Sequence, residues 1–290
     1  MNVYKIGSGY YTSGDKNSGM FEFDKINQVL SDYDRGDVVV VVNGKPDEQS
    51  KIDVSKMLAD KKKIVFIMSD LISFSTCKEI IENAALVLHQ SPIKLNINNE
   101  HQTYGYVPEL FADQKPVNSR KTARIVFGGS NADREDKFVN YLYESGIDSN
   151  SELIVYRDWI DTYSRIYKDG DYTKDTVKDN RLNYNEFIER LARHHASIVF
   201  SKKEYREIGW ITSRVFECAR VNTFPIFDYE YDCFDELKYP FEKVHDYHSM
   251  ISTNFQTILQ ERATVRQYID QLLYRAEFGK KLFRELVFNV

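Results

Sequence analysis

The sequence predicts an α/β protein built on two parallel sheets. Short β-branched runs alternate with amphipathic helical segments in each half of the chain, and several of these runs are apolar throughout. A run without polar alternation is typical of a parallel strand that is covered on both faces. The 290 residues are enough for two domains. We place these domains at residues 1–116 and 117–254 and a helical tail at 255–290.

In the first domain we predict strands at residues 3–6, 38–42, 64–68 and 86–88. Asp24 is expected to cap one helix, and Thr76 with Glu79 forms a capping box for another. Asp70 follows the third strand closely. Because α/β proteins place reactive groups at the carboxyl ends of parallel strands, Asp70 is a candidate for catalysis. The alternative is an ordinary turn or cap residue.

In the second domain we predict strands at residues 123–127, 153–156, 197–200 and 224–227. Gly128-Gly129-Ser130 follows the first of these strands and precedes a helical pattern. A glycine turn between a strand and a helix can cradle a phosphate with its backbone N–H groups. Glycine pairs also serve ordinary turns, so the motif alone leaves both possibilities open.

Composition excludes several classes of protein. No apolar run approaches the roughly 20 residues that cross a bilayer, and the start lacks a secretory h-region, so we expect a cytoplasmic protein without membrane contact. A net charge of −5 does not favour nucleic acid as a partner. The three cysteines lack zinc or disulfide spacing. We interpret His194 and His195 as a polar pair at the end of a helix, and we predict no metal site.

The most informative segment runs from Ile211 to Arg220 and contains a predicted helix. Arg214 and Glu217 are three residues apart, so they share one face of this helix. A guanidinium there can bind diphosphate oxygens while a carboxylate accepts hydrogen bonds from ribose hydroxyls. The alternative is a common surface ion pair.

This R-x-x-E helix, followed by an apolar strand, resembles the nucleotide-sugar glycosyltransferases of GT-B fold, and the phage DNA β-glucosyltransferases in particular. Further segments resemble that family in the family's own order, between about residues 38 and 232. They are Asn43-Gly44-Lys45-Pro46, Ile67-Met68-Ser69-Asp70-Leu71, Ser91-Pro92-Ile93-Lys94-Leu95, Tyr106-Val107-Pro108, Phe127-Gly128-Gly129-Ser130, Arg134-Glu135-Asp136-Lys137 and the segment from Ile211 to Glu217. The set is more specific than any one of its members.

The resemblance implies two Rossmann-like domains that face a central cleft, with the C-terminal helix packing back across both. It implies that Asp70 is the general base. It also implies a donor site in which Arg214 binds the diphosphate and Glu217 the ribose, with Leu182 at the uracil. The implied donor-binding residues are Gly129, Ser130, Arg134, Leu182, Tyr205, Arg214 and Glu217.

The activity implied by the resemblance is inverting transfer of glucose, or a related sugar, from a uridine diphosphate (UDP) donor to DNA. The expected acceptor is 5-hydroxymethylcytosine in double-stranded phage DNA, in the cytoplasm of an infected bacterium, and the modified base would have to flip out of the helix. No cofactor is expected, stimulation by a divalent metal is left open, and a monomer is expected.

Some residues depart from the family pattern. The loop Asn131-Ala132-Asp133 is short and lacks an arginine that the family carries upstream of the one matching Arg134. Lys202 stands near an acidic residue of the family, which leaves a pentose donor such as arabinose open. Two alternatives therefore remain: a GT-B glycosyltransferase acting on a carbohydrate, small molecule or protein, and a nucleotide-binding protein without catalysis.

Overall fold

The computed structural model describes residues 2–5, 36–42, 48–68, 77–89, 91, 95–102, 121, 123–129, 152–155, 184–200, 203–207, 209–227, 234–241 and 256–290. These residues form two parallel sheets with helices between the strands, which confirms the predicted α/β class. The chain divides into two compact units. Unit 1 comprises residues 1–114, 208–213 and 274–290, and unit 2 comprises residues 115–207 and 214–273.

Unit 1 contains a five-stranded parallel sheet whose strands follow sequence order. The strands are β1 (Asn2–Lys5), β2 (Val38–Val42), β3 (Lys63–Ile67), β4 (Leu86–His89) and β5 (Glu100–Gln102). The first four confirm the predicted strands to within one residue at each end. The fifth was missed because its three residues are all polar and leave no apolar run.

The central strands of unit 1 are buried as their composition requires. Val38 to Val41 and Ile64 to Ile67 are all at most a few per cent exposed. A strand of consecutive valines has no polar face, so it is stable in a sheet only where other elements cover both faces. The apolar runs therefore identified the interior of this sheet correctly.

Unit 2 contains a four-stranded parallel sheet in the order β7-β6-β8-β9. Its strands are β6 (Ala123–Gly129), β7 (Glu152–Val155), β8 (His194–Val199) and β9 (Phe224–Phe227). All four were predicted, but β8 begins three residues earlier than expected. His194 and His195 therefore start a strand, and the interpretation as the end of a helix is wrong. The preceding helix ends at Leu191, and the chain turns before the pair.

Helices connect and cover these strands in the described part of the chain, where residues 256–260 also form a short helical stretch before the last helix. The helices are α1 (Glu48–Ala59), α2 (Lys78–Asn83), α3 (Tyr184–Leu191), α4 (Lys203–Glu207), α5 (Ser213–Arg220), α6 (Phe234–Leu237) and α7 (Arg262–Phe288). The predicted cap of α2 is wrong by one residue. Cys77 is the N-cap, and its side chain makes no capping hydrogen bond. The predicted helix at Asp24 lies outside the described residues.

The last helix belongs to both units. Residues 262–273 of α7 lie in unit 2 and residues 274–290 lie in unit 1. Phe283 and Val287 are fully buried against Val38, Val65 and Leu88 of the first sheet. The helical tail predicted at residues 255–290 thus completes the hydrophobic core of unit 1.

Aromatic side chains form much of the core of unit 2 around β9. The Phe224 ring centroid lies 5.7 Å from that of Tyr239, 5.3 Å from that of Phe241 and 5.5 Å from that of Tyr268. Burial raises the pKa of the Tyr239 phenol well above its usual range. The high aromatic content of the sequence is used here for packing.

Candidate functional site

The order of strands in unit 2 indicates where a ligand would bind. The chain passes from β6 outward to β7 and then returns to β8 on the other side of β6. Open α/β sheets bind ligands at such a reversal, outside the carboxyl ends of the strands. Gly129 is the last residue of β6 and so lies at this position. The candidate site therefore includes the carboxyl ends of β6 and β8.

The two glycines do not form the predicted turn. Gly128 and Gly129 belong to β6 and pair with Ile154 and Val155 of β7. Parallel pairing uses only backbone groups, which glycine supplies as well as any residue, so the strand extends through both positions. The phosphate cradle proposed for this segment would have to begin at Ser130, which lies outside the described residues.

Helix α5 brings Arg214 and Glu217 together. Arg214 Nη1 lies 3.2 Å from Glu217 Oε2, and the two side chains are only 20% and 9% exposed. The three-residue spacing places both side chains on one face of the helix, as predicted. The pair is much less accessible than an ordinary surface ion pair. Arg214 and Glu217 are thus two predicted site residues that the described structure brings into direct contact.

The position of Arg214 within α5 is unusual for a cation. Helix α5 leads directly into β9, which is parallel to β8, so the amino end of α5 faces the carboxyl edge of the sheet. Arg214 is the second residue of this helix, and the first turn contains no acidic residue. Helix amino ends attract anions and disfavour cations. The helix end and the guanidinium together therefore suit a bound anion such as a diphosphate.

A second side chain holds the Arg214 guanidinium. The Cζ atom of Arg214 lies over the ring of Phe187, 4.0 Å from the ring centroid, which is the geometry of a cation–π contact. Phe187 belongs to α3 and also packs against a buried cluster that includes Ile188, Leu191 and Cys218. Sequence analysis did not identify Phe187 as a residue of the site. Its 27-residue separation from Arg214 provides no signal of this contact.

Cys218 lies beside the pair but is not a nucleophile. The thiol is completely buried, and burial raises its pKa to about 12. At neutral pH it therefore stays protonated and unreactive. Cys218 is therefore a packing residue, and the charged pair is the chemically useful part of α5.

The remaining predicted donor residues are only partly described. Tyr205 is buried on α4, the helix that follows the carboxyl end of β8. Ser130, Arg134 and Leu182 lie outside the described residues, as does the candidate base Asp70. In unit 1 the backbone N–H of Met68, two residues before Asp70, donates to the Leu88 carbonyl at 2.8 Å.

A polar network that the sequence did not indicate lies beyond β4. Buried His89 contacts Glu100 through Nε2 and Oε2 at 3.2 Å, and the Ser91 N–H donates to His89 Nδ1 at 3.3 Å. The Leu95 N–H donates to the same Glu100 oxygen at 2.7 Å. The Nδ1 atom accepts a hydrogen bond, so Nε2 carries the proton. These bonds fix both ends of the segment from Ser91 to Leu95.

Two of the basic residues in unit 1 donate hydrogen bonds to main-chain oxygens of the same unit. Lys62 Nζ donates to the Gly36 carbonyl, and Lys63 Nζ donates to the main-chain oxygen of Val290 at 2.7 Å. Both lysines lie at the start of β3, whereas the segment carrying Asp70 follows its end. They therefore lie at the amino edge of this parallel sheet.

Neither a candidate metal site nor a membrane-spanning helix is found in the described parts of the chain. No group of three or more His, Cys, Asp or Glu side chains there has the arrangement needed to hold a metal ion. Among the helices described, none combines the length and the apolar character needed to span a membrane.

Comparison with known proteins gives matches in structure only. No family model matches the chain, and no curated protein sequence matches it. A structure of T4 phage β-glucosyltransferase with UDP-glucose is 17% identical, covers 99% of both chains and has a TM-score of 0.64. The T4 phage enzyme with UDP and Mn²⁺ gives the same identity and coverage and a TM-score of 0.63.

A more distant similarity extends to a second kind of glycosyltransferase. A structure of trehalose-6-phosphate synthase, studied for glycosyl transfer with retention, is 9% identical and has a TM-score of 0.56. The alignment covers 94% of this chain and 78% of that one. Both kinds of match agree with the two parallel sheets described above. The chain therefore has the GT-B fold, and in that fold it is similar to phage β-glucosyltransferase.

Proposed function

We propose that the protein is an inverting UDP-sugar glycosyltransferase that glucosylates 5-hydroxymethylcytosine in DNA. The observation that carries this proposal is the Arg214–Glu217 pair at the amino end of α5, beside the carboxyl edge of the second sheet. The matched T4 phage structures contain UDP or UDP-glucose, which supports the same class of donor here.

In the proposed donor complex, Arg214 exchanges Glu217 for the diphosphate, and Glu217 accepts hydrogen bonds from the ribose hydroxyls. Gly129, at the carboxyl end of β6, leaves room for the phosphates to approach the backbone, Ser130 brings a backbone N–H group to them, and Arg134 adds a second cation. Leu182 contacts the uracil through its backbone, and Tyr205 lines the sugar pocket. The donor is a substrate, so the proposal requires no cofactor.

The proposed reaction is a single displacement at the anomeric carbon. The Asp70 carboxylate takes the proton of the acceptor hydroxyl, whose oxygen forms a bond to C1 of the sugar. The bond between C1 and the diphosphate oxygen breaks, and its electron pair leaves with UDP. Arg214 and Arg134 stabilise the negative charge that grows on the departing diphosphate.

The acceptor is tested directly by incubating the protein with DNA that contains 5-hydroxymethylcytosine and with a panel of UDP-hexoses and UDP-pentoses. We expect mass spectrometry of the digested nucleosides to detect a hexosylated hydroxymethylcytidine with UDP-glucose, and unmodified cytosine DNA serves as the control. Parallel reactions with and without Mn²⁺ test stimulation by metal. Binding of UDP-glucose without transfer to any acceptor would instead favour a non-catalytic nucleotide-binding protein.

The general base is tested by Asp70→Asn. Loss of the proton acceptor should lower kcat by about a hundredfold or more, while the dissociation constant for UDP-glucose stays within about twofold. Asp60→Asn is the matched control, because Asp60 is an exposed aspartate of the same unit at the end of α1. Unchanged turnover in Asp70→Asn would exclude the proposed mechanism.

A carbohydrate acceptor is the second candidate. The structural similarity to trehalose-6-phosphate synthase and the net charge of −5 favour it. Transfer to a sugar or sugar phosphate, with DNA inert in the same assay, would establish this alternative. The anomeric configuration of the product, determined by NMR, then distinguishes inversion from the retention studied in that enzyme.

A further inference from the structure

The ring of Phe187 contacts the Arg214 guanidinium and is itself held in place by the residues packed around it. Its ring is anchored in the buried cluster formed by α3, α5 and β6, whose members include Val126, Ile188 and Cys218. The guanidinium carbon lies 4.0 Å above the ring centroid. A ring fixed by packing on one side can therefore fix the position of a cation on its other side.

This support is needed because arginine is long and flexible. An unrestrained arginine loses rotamer freedom when it binds an anion, and that loss weakens the binding. Glu217 restrains the guanidinium through one of its nitrogens, Nη1. Glu217 is also the residue proposed to turn to the ribose when the donor binds. The aromatic contact then remains as a restraint that does not compete with the donor for the guanidinium.

We propose that Phe187 is a positioning residue for the donor site, whose ring orients the Arg214 guanidinium toward the diphosphate of the nucleotide sugar. This inference rests on the proposed function, since it assumes that Arg214 binds the donor. Phe187 itself touches neither the reacting atoms nor the sugar. Its effect on the reaction passes through Arg214 alone.

The first test compares UDP binding by calorimetry in wild type, Phe187→Leu and Phe187→Tyr. Leucine keeps apolar volume but removes the ring face, so the affinity should fall by about threefold to thirtyfold. Tyrosine keeps the ring face and should bind UDP within about twofold of wild type. In steady-state assays the leucine variant should raise the KM of the donor and leave the KM of the acceptor unchanged.

A matched control separates positioning from loss of stability. Ile188 neighbours Phe187, is buried in the same cluster and carries no aromatic ring. Ile188→Val should lower the melting temperature slightly and leave UDP affinity unchanged. If Ile188→Val weakens UDP binding as much as Phe187→Leu does, the effect comes from the cluster as a whole and the inference is wrong.

A double-mutant cycle provides the decisive comparison. In the Arg214→Met background, Phe187→Leu should change UDP affinity by less than about twofold, because the group that the ring positions is gone. An equal loss in both backgrounds would overturn the inference. Should Phe187→Leu fail to fold, Phe187→Met, which fills the same space with a flexible side chain, takes its place in each measurement.

The two hypotheses fail in different ways. Wild-type protein that does not bind UDP contradicts the proposed function. Wild-type protein that binds UDP with Arg214 required, but with Phe187→Leu equal to wild type, leaves the proposed function standing and contradicts the role of Phe187.

Discussion

At the scale of single residues, the informative feature is a cation placed where a helix favours an anion. Arg214 occupies the first turn of α5, where the macrodipole opposes its charge and no acidic residue accompanies it. Glu217 and Phe187 compensate, through an ion pair at 3.2 Å and a cation–π contact at 4.0 Å. A diphosphate would complement both the cation and the helix end, which is why this residue carries the functional proposal.

The first prediction concerns the strength of this ion pair without donor. We expect the unfolding free energies of Arg214→Met, Glu217→Gln and the double variant to give a coupling of about 1 kcal/mol, since the pair is largely shielded from solvent. Saturating UDP should stabilise wild type and have little effect on Arg214→Met. Both effects are measured by urea denaturation.

The control for that cycle is the exposed pair Lys78 and Glu82 on α2. Its atoms lie 3.6 Å apart, and the two side chains are 76% and 60% exposed. The same cycle there should give a coupling below about 0.5 kcal/mol. Additive effects at Arg214 and Glu217, equal to those of this control, would contradict the view that shielding strengthens the pair.

At the scale of elements, one threonine ties three segments of unit 2 together. The buried Thr223 hydroxyl, just before β9, shares its single proton between the carbonyls of Leu191 and His194, at 2.9 and 3.1 Å. Lys121 Nζ donates to the same hydroxyl oxygen at 2.9 Å and to the Val221 carbonyl at 3.0 Å. These bonds join the end of α3 to the starts of β8 and β9, and so help to fix the chain just after the end of α5.

Lys121 should make stability depend on pH. Burial lowers its pKa from 10.5 to about 8, so between these two values the unfolded chain binds more protons than the folded one. Stability due to this group therefore rises as pH increases through that window. Relative to that of Lys121→Met, the free energy of unfolding of wild type should increase by about 2 kcal/mol between pH 7 and pH 10.

Urea denaturation of both proteins at the two pH values measures this gain, and taking the difference between them removes the titration of all other groups. Below pH 7 the difference should be nearly constant, because Lys121 is protonated in both states. A difference that stays constant up to pH 10 would show that the buried amine keeps its usual pKa.

At the scale of the whole molecule, the C-terminal segment of the chain belongs to unit 1, the unit that also contains the N-terminal residues. Residues 274–288 of α7 and the two residues after it belong to unit 1, whereas the rest of the helix belongs to unit 2. Phe283 and Val287 fill the core beneath β2, β3 and β4. The stability of unit 1 thus depends on residues almost 200 positions from its sheet in sequence.

Removing the Phe283 ring should therefore destabilise unit 1 selectively. Phe283→Ala leaves a cavity in a fully buried site and should cost about 3–5 kcal/mol. Hydrogen exchange should lose protection in β2, β3 and β4, while β8 and β9 change little. Phe278→Ala, on the same helix but 55% exposed, is the control and should change stability by less than about 0.5 kcal/mol. Equal loss of protection in both sheets would show that the two units open together.

The sequence by itself determined the class of the fold and the most informative helix. Short β-branched or apolar runs located eight of the nine described strands. The fully apolar runs, such as Val38–Val42, did so because a strand that is buried on both faces contains no polar residues. The three-residue spacing of Arg214 and Glu217 was enough to place them on one helix face. Local patterns sufficed wherever neighbours in sequence are also neighbours in space.

Only the tertiary structure decided how distant segments meet. The contact of Phe187 with Arg214, and the bonds between His89 and Glu100, join residues whose spacing carries no signal. Gly128 and Gly129 are part of β6 because they pair with residues of β7. The turn preference of glycine could not indicate this pairing. The start of β8 at His194 likewise follows from pairing with Ala123 of β6. Such contacts depend on the packing of whole elements, and no local stretch of sequence encodes that packing alone.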